Sequence, residues 1–274
     1  MKNEVKETEE VKVKKTENLV INLESLLIPI SVLVGALMIS LSIIFTFRGT
    51  SVTANVKGAT DTTTANTTDT TTNPTDGTSA VTASLTIGNS PYIGNIKTAK
   101  VAIFEFSDFE CPYCKQHFTQ VYPSIVKNYV DTGKAIYVYK NFPLSFHEPA
   151  TTSDALTALC VFDQAGIKGY TTIADSIFTT TQSNGSNMNQ TILNGLAKKV
   201  SGVNMTKFNS CISNKTFAKV ITADEAAATS VGISGTPGFV IGKLESDGNT
   251  MKNGTLLPGA YPLSSFQALI DPLL

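Results

Sequence analysis

Val101-Ala102-Ile103-Phe104-Glu105-Phe106-Ser107-Asp108-Phe109-Glu110-Cys111-Pro112-Tyr113-Cys114 is the stretch on which the fold turns. Val101–Phe106 is an apolar run of strand type. A Cys-x-x-Cys follows it directly, and the spacing after it predicts a helix over Cys114–Tyr129. Two thiols at this spacing, the first at a helix start, can close a small disulfide ring and open it again. Thiol–disulfide exchange is therefore the first chemistry to consider. The attacking species in such exchange is a thiolate, and a helix N-terminus lowers a cysteine pKa from its usual value of about 8.5. Cys111 is expected to meet unpaired backbone N–H groups and the positive end of the helix dipole. Pro112 fits the first helical turn, where no N–H is needed. Cys114 lies one turn further on and is expected to be more buried. Cys111 is thus read as the attacking and attacked sulfur, and Cys114 as the resolving one.

Glu105 interrupts the apolar run. Buried, it could take or relay the proton of Cys114, and burial would raise its pKa toward neutrality. Strand alternation could instead turn it to solvent. Further along, Ala135–Tyr139 reads as a second strand. A helical stretch then spans about 151–231, with breaks at Gly166, Asn184-Gly185 and Gly202. Gly238–Gly242 and Thr255–Leu257 read as strands, and Pro262–Leu274 as a closing amphipathic helix. Strand–helix–strand, a helical block, two strands and a helix make an α/β arrangement with an insertion. Pro237 enters the Gly238 strand, where a proline marks special backbone. A cis Thr236–Pro237 bond would leave the Thr236 main chain free for a passing peptide and set the ring against the cysteines. The alternative is a turn proline.

The 274 residues allow one domain with extra segments, or two small domains. A net charge of −1 and 16% charged residues exclude a nucleic-acid surface. The mean hydropathy of +0.07 is high for a soluble chain, and Leu26–Phe47, free of charged residues, accounts for much of it. At about 1.5 Å per residue this segment spans roughly 33 Å, enough for a hydrocarbon core of about 30 Å. An uncleaved membrane anchor is the preferred reading of 26–47. A signal peptide cut near Val52-Thr53-Ala54 and a buried core helix are the alternatives. Lys2, Lys6, Lys12, Lys14 and Lys15 outweigh Arg48 and Lys57 across the segment. This bias puts the N-terminus in the cytoplasm and the remainder outside a cell membrane crossed once. Disulfides persist in such a compartment. Residues 1–25 are expected to form a solvated cytoplasmic tail, and Thr-rich residues 48–84 a disordered linker. The globular domain is expected over 85–274.

The segments EFSDFECPYCKQHF (105–118), GISGTPGFVIG (232–242) and Gly94-Asn95-Ile96-Lys97-Thr98-Ala99 resemble the DsbA-type branch of the thioredoxin superfamily, in its membrane-anchored bacterial form. The resemblance covers about residues 85–274. It implies a thioredoxin fold interrupted by an all-helical insertion at about 148–231. It also implies that Thr236-Pro237 is the cis-proline loop and that Glu105 is the family's buried acid. By the same resemblance, the substrates are exported proteins with thiols, and a quinone-linked membrane oxidase regenerates the disulfide. No cofactor and no metal are called for. Strongly oxidising members carry His where Tyr113 stands. Pro112-Tyr113 also occurs in glutaredoxins, and Thr before the cis-proline in isomerases. Oxidase, isomerase and reductase thus all fit, with a potential less oxidising than the roughly −120 mV of DsbA.

Four cysteines allow three pairings. Exchange takes Cys111 with Cys114, which leaves Cys160 with Cys211 as a structural disulfide. The alternatives are buried free thiols, or a zinc site of all four cysteines that would make the chain a non-catalytic surface module. His117, one turn after Cys114, is expected to be exposed. His147 opens the insertion; the resemblance makes it a candidate for the active face, and a capping or surface role is the other reading.

Overall fold

Val101–Ser107 forms β4, and every residue from Val101 to Phe106 is buried. Its two faces enter two different clusters. Val101 and Ile103 join one with Tyr137, Phe239 and Phe266, whereas Ala102, Phe104 and Phe106 join another with Ile136, Val138 and Val240. A strand covered on both sides reads as continuous apolar sequence, which is why this run lacks alternation. Fully burying each phenylalanine contributes about 1.5–3 kcal/mol.

These contacts come from a computed structural model, which describes residues 79–80 and 84–274. The expected tail over 1–25, the anchor over 26–47 and nearly all of the linker over 48–84 lie outside the described residues. Among the described residues no helix is long and apolar enough to cross a membrane.

Around β4 the sheet adds β1 (Ser79–Ala80), β3 (Tyr92–Ile93), β5 (Ala135–Asn141), β6 (Gly238–Lys243) and β8 (Thr255–Pro258). The order is β1-β8-β6-β4-β5-β3, with β4 parallel to β5 and antiparallel to β6. In this register Glu105 lies between Tyr139 of β5 and Phe239 of β6. The short strands β2 (Leu85–Thr86) and β7 (Thr250–Met251) pair separately.

The helix after the cysteines differs from the single span expected. α1 runs Pro112–Gln120, α2 Tyr122–Ile125, and a π-helical turn covers Val126–Val130. Pro123 has no N–H to continue the ladder, so the break falls just before it. α3 (Ala150–Thr180) is broken at Gly166, whose φ of 62° and ψ of −160° are non-helical. α4 (Gln190–Ala197) and α5 (Met205–Ser213) are capped by the Asn189 and Asn204 side chains. α6 (Ala218–Ser230) follows, and α7 (Leu263–Ile270) closes the chain against β6 and α2.

The strand–helix–strand of β4-α1-β5 and the β6-β8-α7 unit form a thioredoxin-type α/β fold, with α3–α6 inserted between them. Cys160 of α3 and Cys211 of α5 are joined by a disulfide that closes a sequence separation of 51. With those sulfurs bonded to each other, no four-cysteine zinc site is assembled.

Candidate active site

Cys111 is the N-cap of α1, in extended conformation, and Pro112 takes the first helical position. Its sulfur lies 3.3 Å from the Thr236 carbonyl oxygen, to which the thiol donates. The Thr236–Pro237 bond is cis. Cys111 and Cys114 are both free thiols, with 3% and 0% of their surfaces exposed. Tyr113 between them is 62% exposed. A cleft of about 400 Å³ beside the pair is lined by Tyr113, Gln116, Thr236, Pro258 and Tyr261.

The two sulfurs are driven apart in proton affinity. Cys111 is lowered from 9.0 to about 6, chiefly by a hydrogen bond from the Cys114 thiol. Burial opposes that shift, while the Thr236 side chain, rather than the carbonyl that accepts from the thiol, and the N–H groups of Cys114 and Tyr113 reinforce it. Cys114 is pushed well above the ordinary thiol range by burial, by the Cys111 sulfur and by the charge of Glu105. One sulfur is thus a stable thiolate and leaving group near neutral pH, and the other holds its proton.

Glu105 is 6% exposed and sits on the face of β4 that α1 covers. Alternation does separate it from Phe104 and Phe106, but the opposite face of this strand is also interior, so it does not reach solvent. Burial raises its pKa from 4.5 to about 7, against the Tyr137 hydrogen bond and the Ser107 hydroxyl, which lower it. A carboxyl half-ionised near neutrality beside a reluctant thiol can give or take that thiol's proton.

Two further acids hold the loop in front of Cys111. Asp108 Oδ1 accepts from the Glu110 N–H (2.8 Å) and from Thr151 Oγ1 (2.5 Å). Its Oδ2 accepts from the Leu144 N–H (2.9 Å) and from His147 Nδ1 (2.7 Å). Glu110 accepts from Thr181 Oγ1 (2.6 Å) and from the Gly185 N–H (2.6 Å). Gly185 has a φ of +67°, and a Cβ there would lie 2.9 Å from the His147 carbonyl oxygen. The start of α3 and the loop after its end are therefore both fastened to the residues that aim Cys111. Asp154 lies in the same interior, where burial and the neighbouring Glu110 and Asp108 raise its pKa from 3.8 to about 9, so it is a neutral acid at pH 7.

A family model described as Thioredoxin matches residues 86–254, more than half of the chain. The chain belongs to the thioredoxin family. This thioredoxin-family chain is 22% identical, over 185 residues, to a Rickettsia bellii protein assigned by name to the protein-disulfide oxidoreductases. The match covers 67% of this chain and 64% of the relative, so the chain spans less than two thirds of that protein's length. The crystal structure of oxidised BdbD from Bacillus subtilis superposes with a TM-score of 0.60 at 20% identity, covering 71% of this chain and 97% of BdbD. For alpha-DsbA1 of Wolbachia pipientis the TM-score is 0.54 at 25% identity, covering 68% and 91%. The fold is thus DsbA-type, with its helical insertion.

Within this thioredoxin-family site the structure corrects the reading of His117 and removes the capping and surface alternatives for His147. His117 is 1% exposed rather than solvated. It shares a face with Cys114 because residues three apart on a helix point the same way. His147 is 2% exposed and neither caps a helix nor lies on the surface; it is bonded to Asp108 behind the cysteine loop. Asp108, Glu110, Asp154 and Tyr137 were not singled out from sequence. For the first two a signal existed: acids on both sides of Phe109, within an apolar context, directly ahead of a Cys-x-x-Cys.

Proposed function

We propose that the chain is a membrane-tethered protein thiol–disulfide oxidoreductase that forms disulfides in exported proteins. The observation that carries this reading is the opposed pair: Cys111 lowered to about 6 at a helix N-cap, and Cys114 raised beside a carboxyl at about 7. In the oxidised enzyme a substrate thiolate attacks the Cys111 sulfur. The Cys111–Cys114 bond breaks, and Cys114 leaves with the electron pair and takes a proton from Glu105. The substrate's second thiolate then attacks its own sulfur in the mixed disulfide and expels Cys111 as a thiolate. Two electrons have passed from substrate to enzyme, and a quinone-linked membrane thiol oxidase returns the pair to the disulfide. Leu26–Phe47 as an anchor and 48–84 as a linker would let one domain reach both exported chains and a partner in the bilayer. The cleft at Tyr113, Thr236 and Pro258 offers an apolar surface next to the attacked sulfur.

Trapping tests this directly. Cys114→Ala with glutathione disulfide is expected to accumulate a mixed disulfide at Cys111 that dithiothreitol reverses. The unmodified protein is expected to pass through this adduct to the internal disulfide. No adduct at Cys111 would end the redox reading and leave a non-catalytic surface module.

A further inference from the structure

His117 has no part in the steps above, yet it is buried beside them. Its Nε2 lies 3.0 Å from the Tyr137 hydroxyl. That hydroxyl lies 2.9 Å from Glu105 Oε2, to which it donates. A tyrosine hydroxyl has one proton. With that proton given to Glu105, the phenol oxygen must accept from His117 Nε2–H. Nδ1 then carries the lone pair, and it has no hydrogen-bond partner among the described residues. The imidazole packs at tilted angles against Phe239 and Phe266, with ring centroids at 4.6 and 5.3 Å.

We propose that His117 is a positioning residue that, acting through Tyr137, holds Glu105 as the proton acceptor for Cys114 when the internal disulfide closes. This rests on the oxidoreductase reading of the site. His117 Nε2–H occupies the phenol oxygen, so the phenol proton points at Glu105 and stabilises the carboxylate. Remove that N–H, and the phenol oxygen is free to accept from a protonated Glu105, which stabilises the wrong form. His117 is not itself a proton store, because burial lowers its pKa to about 3 and the ring stays neutral.

The closing step balances as follows. Glu105 takes the Cys114 proton, and the Cys114 thiolate attacks Cys111 in a mixed disulfide. The Cys111–Cys114 bond forms, and the outside sulfur leaves with the electron pair. Cys111 does not titrate in this step, since it is already in a disulfide. The other groups that face Glu105 are Cys114 of α1, Tyr122 of α2, Tyr137 and Tyr139 of β5, and Tyr170 of α3. All of these are raised, Tyr122 to about 12. Lys140, which lines the same small cavity, is held 3.1 Å from Asp224. β6 presents Phe239.

The test is the pH profile of closure from a preformed glutathione adduct on Cys111. The rate is expected to rise with pH through an inflection near 7, where Glu105 loses its proton. Tyr137→Phe should move that inflection up by about one pH unit, the shift given by losing one hydrogen bond to a carboxylate. His117→Leu should move it in the same direction. His117→Gln, whose amide N–H can take the Nε2 position, should restore it. An unmoved inflection in folded His117→Leu overturns the inference while leaving the oxidoreductase reading intact. No closure in the unmodified protein overturns that reading itself. If His117→Leu does not fold, the imidazole nitrogen shifts of the reduced, unmodified protein decide. A neutral Nε2–H tautomer at pH 8 supports the inference, and an Nδ1–H tautomer overturns it.

Discussion

Cys111→Ser is expected to reduce exchange with glutathione disulfide, and oxidation of a reduced test protein, to the uncatalysed background. A serine hydroxyl keeps its proton throughout the range in which Cys111, at about 6, is a thiolate. It also cannot form the sulfur–sulfur bond on which both half-reactions depend. The helix cap survives the change, because Cys111 makes no side-chain cap hydrogen bond. The circular dichroism spectrum should therefore stay close to that of the unmodified protein. Residual exchange above background would move the attacked sulfur elsewhere and remove the reason for the loop that Asp108 and Glu110 hold.

The second large effect falls on stability. Replacing Cys160 and Cys211 together with alanine is expected to cost about 4 kcal/mol, from the loop entropy that their bond removes from the unfolded chain. The bond closes a separation of 51 residues and joins α3 to α5. In urea, with a slope near 2 kcal/mol per molar, the midpoint should fall by about 2 M. Exchange by Cys111 should persist below that midpoint. The insertion is fastened to the cysteine loop at Leu144–Thr151 and Thr181–Gly185, away from the Cys160–Cys211 bond. A loss below 1 kcal/mol would mean that packing around Phe208 and Leu193, not the covalent bond, carries the insertion's stability.

What could be read from sequence follows from how local the cause is. Cys111 caps α1 because of Pro112 and the apolar strand before it, features within a few residues. The Gly166 break, the Pro237 backbone and the β5, β6 and β8 strands are local in the same sense. The position of His117 is not local. Its burial depends on Phe239 and Phe266, over a hundred residues away, and only the assembled sheet brings them together. Glu105 shows the intermediate case: alternation correctly separates it from Phe104, but only the insertion and α1 decide that its face is interior. The roles of Asp108 and Glu110 depend on partners at 144–151 and 181–185, which no spacing rule supplies. The two-residue strands β1, β2, β3 and β7 are too short to give a periodic signal.

The reduction potential of the Cys111–Cys114 pair, equilibrated in glutathione buffers, bears on the central claim more directly than any variant. A lower pKa at the attacked sulfur stabilises the reduced form and makes the disulfide more oxidising. Cys111, at about 6, falls between the values of roughly 7 for thioredoxin and 3.5 for DsbA. A potential between about −270 and −120 mV is therefore expected, on the oxidising side of thioredoxin. A value at or below about −270 mV would make the pair a reductant and contradict disulfide formation as its role.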